Sequence, residues 1–161
     1  MFGSTFVPGG GGGGGGTKKY CRIYRSTSQT FASGTDAALS LDTALIDSGF
    51  WSASNPTRLT IPSAMIAVAV GNIVWNPNAT GWRHTYIRCN GPTGSIIAFE
   101  QLQAVSVAVA GTIMLVTSMP WSFAAGDYIE LFCGQNSGGN LSIGASSPTS
   151  NYPSVFGMFQ I

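Results

Sequence analysis

At 161 residues and 16.7 kDa the chain has room for one sizeable hydrophobic core and not for two. Only 8% of its residues are charged, against about a quarter in an ordinary soluble domain, while 44% are hydrophobic and the mean hydropathy is +0.23. A net charge of +1 supplies no global field that would gather nucleic acid or anionic lipid, so both are excluded as expected partners.

A lone domain with so few charges is hard to keep in solution, so other copies of the chain or a partner are expected to cover much apolar surface. In chain order, residues 1–17 stand apart from the rest. Phe2, Phe6, Val7 and Pro8 precede an unbroken run of Gly9, Gly10, Gly11, Gly12, Gly13, Gly14, Gly15 and Gly16. Glycine runs lose much backbone entropy on ordering and offer no side chains to pack, so this segment cannot join a core. It is expected to be an extended anchoring tail, with the aromatic residues as its grips, in front of a domain spanning 18–161. Lys18, Lys19, Arg22 and Arg25 follow, four of the seven basic residues, and read as a solvated strand edge.

From Lys18 onward the pattern is strand and turn. Tyr20, Arg22 and Tyr24 alternate with Cys21, Ile23 and Arg25. Leu59 and Ile61 lead to Pro62, and Met65 to Trp75 is a β-branched and Ala-rich run with a break expected at Gly71–Asn72. Pro77, Asn78 and Gly81 supply turn chemistry, Trp82 to Cys89 alternates again, and Asn90-Gly91-Pro92 turns. Val105, Val107 and Val109 are expected to pair with Ile113 and Leu115 across Ala110–Gly111, and Tyr128–Cys133 and Val155–Ile161 complete the series. No helical periodicity with caps occurs. Short strands separated by Gly, Pro and Asn turns predict an all-β, antiparallel sandwich of about 8–10 strands.

Catalytic patterns are missing. His84 is the sole candidate base, on a regular strand, and the six acids are scattered, Asp127 at a turn where its side chain can bond local backbone. Cys21, Cys89 and Cys133 lack paired spacing, and one histidine cannot complete a zinc site, so buried free thiols without a metal or cofactor are expected. No basic-then-apolar leader is seen, and the longest apolar stretch is far short of the ~20 residues that cross a bilayer, which argues against membrane insertion. Assembly in a reducing cytoplasm is expected. Trp51, Trp75, Trp82 and Trp121, with Tyr86 and Tyr128, are read as core or interface packing before a carbohydrate platform.

Four stretches, in this order, resemble the trimeric jelly rolls of the complement-one-q and tumour necrosis factor superfamily: Asp47–Trp51 with Pro56–Pro62; Met65–Trp75 with Gly81–Gly91; Ala125–Leu131; and Ser154–Ile161. The resemblance implies a jelly roll that forms homotrimers and is not an enzyme. Because the charged fraction is too low for a lone barrel, threefold packing is expected to bury the aromatic and β-branched face around Tyr24, Trp75, Tyr86 and Phe132 at the trimer interface. A bare glycine run replaces the collagen-like stalk of secreted members, so the chain is most similar to virus-borne versions. Those serve as head fibres, capsid decorations or tail-associated tips of bacteriophages. The expectation is therefore a structural protein on the exterior of a virion, anchored through residues 1–17 to a capsid or other virion protein. The alternative is host attachment through a receptor- or glycan-binding tip made of distal loops bearing Trp51, Asn78, Trp82, Asn90, Asn136 and Asn140.

Overall fold

The computed structural model describes residues 17–104, 111–145 and 153–161, and over these the chain is all-β. The strands are β1 Tyr20–Tyr24, β2 Gln29–Phe31, β3 Thr35–Ala38, β4 Thr43–Asp47, β5 Arg58–Thr60, β6 Met65–Val74 and β7 Trp82–Cys89. They continue as β8 Ile96–Gln103, β9 Ile113–Thr117, β10 Trp121–Phe123, β11 Tyr128–Gln135, β12 Leu141–Ile143 and β13 Val155–Gln160. The expected grips Phe2 to Pro8, the run Gly9 to Gly16 and Val105, Val107 and Val109 lie outside the described residues.

Two antiparallel sheets form a sandwich. The six-stranded sheet runs β10-β6-β13-β1-β4 with β9 also on β6, and the five-stranded sheet runs β3-β11-β7-β8 with β5 also on β11. β12 and β2 make a separate ribbon. The thirteen segments exceed the expected strand number because single lateral positions are filled twice. Ile113–Thr117 and Trp121–Phe123 both lie against β6, interrupted at Pro120, which has no N–H for the ladder. Across the interruption Ser118 holds Ala69 twice, donating its N–H to the Ala69 carbonyl and accepting the Ala69 N–H at Oγ, each at 2.9 Å.

The alternation of β1 puts Cys21 and Ile23 inward and Tyr20 and Arg22 outward. β6 passes through Gly71 without the expected break. Glycine is accommodated there because the Leu131 side chain of the opposite sheet fills the space, only 2.7 Å from where a Cβ would stand. The core between the sheets is built on Ile23, Leu39, Ile73, Ile87, Met114, Leu131 and Phe156, each worth roughly 1.5–3 kcal/mol when fully buried. Trp75 belongs to this core: it is 0% exposed and meets Phe31 edge-on at 5.2 Å, so it cannot line a subunit interface as expected. The basic cluster is not at an edge either, because β1 is hydrogen-bonded on both sides, to β13 and β4.

The sandwich has two distinct ends. Lys19 O accepts the Gln160 N–H at 2.9 Å and Ile66 O accepts the Ile161 N–H at 3.1 Å, so the first described strand begins beside the point where the last one finishes. At the same end Asn90, in the left-handed region at φ 59, and Gly91 make the turn after β7. Asn90 Nδ2 donates to Asp127 Oδ1 at 2.9 Å and its Oδ1 accepts the Tyr128 N–H at 3.0 Å. The far end carries the β6–β7 and β11–β12 connections, roughly 25 Å away along the eight residues of β7.

Candidate functional site

Three surfaces stand out. On the outer face of the six-stranded sheet, Tyr20, Ile46, Ile66, Leu115 and Phe159 are exposed, Leu115 to 61%, and Met119 beside β9 reaches 79%. Arg22 is the one charged side chain among the residues of β1, β6, β9 and β13. A groove of about 350 Å³ opens where Gly157, opposite Arg22 in register, lacks a side chain between Val155, Phe159 and Val70. This is a face suited to another apolar surface, not to water.

At the far end, Asn78, Trp82 and Asn136 are brought together. Asn136 Oδ1 accepts the Trp82 backbone N–H at 2.5 Å, and Trp82 is half-buried. The support beneath is Arg83, fully buried, whose guanidinium donates to the carbonyls of Thr80 (2.9 Å), Trp82 (2.9 Å) and Asn78 (3.2 Å). Burial without a carboxylate partner lowers its pKa. Asn140 ends the β11–β12 connection in the same region, exposed. Trp51 and Asn90 do not join them. Trp51 bridges Leu59, which pairs with Ile129 and through it with Cys89, so Trp51 and Asn90 belong to the end where β1 begins and β13 finishes. The expected single tip is therefore split, because β7 carries its two turns to opposite ends.

The outer face of the five-stranded sheet holds an aromatic ladder. The Trp82 and His84 rings stack at 4.7 Å, and Tyr86 and Phe132 are parallel at 5.2 Å, with the Arg88 guanidinium 5.3 Å above Tyr86. His84 Nε2 lies 2.8 Å from Asp36 Oδ1, and Tyr86 OH donates to Asp36 Oδ2 at 3.1 Å. Burial, then the Asp36 charge, pushes the Tyr86 phenol up to about 12. Tyr86 is only 6% exposed, because its own neighbours already cover it. The four residues expected at the trimer interface are thus dispersed. Tyr24 is on the outer face of one sheet, Trp75 is between the sheets, and Tyr86 and Phe132 are on the opposite outer face. The aromatic residues do not form one carbohydrate platform either, since Trp121 lies on β10 and Trp51 at the other end from Trp82.

Among the described residues the polar side chain that meets His84 Nε2 is Asp36, and no serine or cysteine hydrogen-bonds to the imidazole. Cys21, Cys89 and Cys133 are free and buried. The groups that sequence reading missed are Asp36, buried Arg83 and the position of Glu100. Asp36 and His84 are 48 residues apart, and no local signal links them.

The two-sheet sandwich with its strand order has the jelly-roll fold of the complement-one-q and tumour necrosis factor proteins. Murine APRIL superposes with a TM-score of 0.64 at 9% identity, covering 89% of this chain and 99% of that one. Eiger TNF of S. frugiperda gives 0.59 at 8% identity, covering 89% and 92%. The globular domain of zebrafish complement 1qA protein gives 0.53 at 11%, covering 89% and 98%. At these identities the likeness is one of fold. No protein-family model matches the sequence, and no curated protein matches it.

Proposed function

We propose that the chain is a structural virion protein, a head fibre or capsid decoration, that forms a homotrimeric jelly roll anchored by residues 1–17. The observation that carries this reading is the apolar outer face of the six-stranded sheet, broad and nearly uncharged, on a domain whose two described chain ends leave at one end. Face burial between three copies removes those side chains from water, and a shared axis turns all three tails towards one support. The glycine run can then pass through a narrow groove of the supporting protein, with Phe2 and Phe6 contributing roughly 1.5–3 kcal/mol each where buried. The role is non-enzymatic. The test is deletion of residues 2–16, which should leave the melting temperature of the assembled domain unchanged and abolish incorporation into particles. Wild-type occupancy by the truncated protein would overturn the anchoring role.

A second reading, a receptor- or glycan-binding tip, is favoured by one observation: Asn78, Trp82, Asn136 and Asn140 gather at the end opposite the start of β1 and the finish of β13. Binding of the intact protein to a glycan array, lost in Trp82→Ala but not in Trp51→Ala, would establish it.

A further inference from the structure

The charged groups of this chain are few enough to account for one by one. Five of the six acids have partners within the chain: Asp36 holds His84 and Tyr86, Asp42 holds Ser26 and Thr27, Asp47 the N–H of Phe50, Asp127 Asn90, and Glu130 Thr57 and Arg58. Glu100 is the exception. Four of the five arginines likewise donate hydrogen bonds, Arg25 to Ser40 O, Arg58 to Glu130, Arg83 to three carbonyls and Arg88 to Pro92 O. Arg22 is the exception.

The two exceptions stand on two different apolar surfaces. Arg22 is at the groove on the outer face of the six-stranded sheet. Glu100 is half-buried on β8, the outermost strand of the five-stranded sheet, directly opposite the core-facing Thr85 and therefore aimed at the seam where β8 runs beside β9. Leu102 of β8, on the same inward side as Glu100, and Leu115 of β9 are exposed beside that seam, while Ile96 and Phe99 are exposed on the outer face of β8 next to it. A half-buried carboxylate in such surroundings is costly unless a cation meets it.

Cyclic assemblies of three need two unlike surfaces that fit each other, since a head-to-tail contact never pairs a patch with itself. The face and the seam are such a pair. The levels match as well. Arg22 is in register with Gly157, which pairs with Val70 in the middle of β6, and Thr85 is in the middle of β7. A threefold axis running from the tail end to the far end moves each copy around without changing level, so the middle of one face meets the middle of the next seam. Lys18, at the tail end, is at the wrong level to compete.

We infer that the groove beside Gly157 receives the β8–β9 seam of a second copy and that Arg22 of one protomer pairs there with Glu100 of the next. This rests on the trimer reading above and specifies how the subunits meet. The pair fixes register and excludes other packings more than it adds affinity, the usual role of a charge pair inside an apolar contact.

The test is a charge-exchange cycle on the full-length protein, followed by sedimentation velocity across a concentration series, with far-ultraviolet circular dichroism to confirm folding. Arg22→Glu and Glu100→Arg should each raise the concentration of half-assembly by about tenfold or more, and the double exchange should bring it back to within about threefold of wild type. Should Glu100→Arg misfold, Arg22→Gln and Glu100→Gln take its place, and a clear favourable coupling between them is required. Wild-type trimers with unaffected single variants, or single losses that the double exchange does not restore, overturn the pair and leave the trimer standing. A monomeric wild type overturns both.

Discussion

His84 and Asp36 meet across Gly134: the imidazole Nε2 is 2.8 Å from the Asp36 carboxylate, and the strand between them carries no side chain. A Cβ at Gly134 would fall on both Asp36 Oδ1 and His84 Nε2. Glycine is required there for contact, not for backbone freedom.

Gly134→Ala is therefore expected to cost about 1–3 kcal/mol, because a methyl group is forced into an occupied, hydrogen-bonded space. Asp36→Ala removes a partner that is 38% exposed and should cost less, within about 1 kcal/mol. Urea unfolding of the two variants ranks them, and a cost for Asp36→Ala above that for Gly134→Ala would mean the pair itself holds the ladder together.

Trp75→Ala should destabilise by roughly 3–5 kcal/mol, since a fully buried indole between the sheets leaves a cavity. Phe132→Ala, on the half-buried ladder outside the core, should cost clearly less. Thermal melts compare them. Equal losses would place the two rings in equivalent surroundings, against the structure.

Burial pushes the Cys21 and Cys133 thiols from 9.0 up to about 12. A folded-state pKa above the unfolded value means the native protein binds the extra protons between those pH values. Stability is thus fully present below about pH 9 and falls as pH rises towards 12, with a slope approaching about 1.4 kcal/mol per pH unit for each thiol. Denaturant midpoints between pH 8 and 11 check the sign. Aromatic disulfide reagents at pH 8 should label none of the three cysteines within minutes unless denaturant is added.

Phe159→Asp and Ile66→Asp change side chains that are exposed in the single chain, so folding should survive with losses of about 1 kcal/mol or less. Assembly should not survive, because each would put an unpaired charge into the face that the proposed trimer buries. Size-exclusion chromatography at equal loading reads this directly, and wild-type elution of both variants would move the interface elsewhere.

Local chemistry made much of the fold legible. The Asn90-Gly91 turn, the Gly126-Asp127 turn, in which Asp127 Oδ2 accepts the Ala124 N–H at 2.8 Å, and the alternation of β1 all follow from neighbours in sequence. Pairing over long distances was not legible. That β1 is an interior strand depends on Tyr20 meeting Phe159 and Arg22 meeting Ile46, and nothing near Lys18–Arg25 encodes it. Trp75 is apolar enough for either core or interface, and only the bridge to Ile143 and the Phe31 ring decides between them. Trp51 and Trp82 both flank turns, but the turns at either end of a strand lie at opposite ends of the molecule.

The central claim is that three copies cover the apolar face, and the mass of the full-length protein in solution tests it most directly. Multi-angle light scattering at micromolar concentration should give about 50 kDa, three times the 16.7 kDa chain, without decline on dilution towards the lower end of that range. A stable species at 16.7 kDa would contradict it.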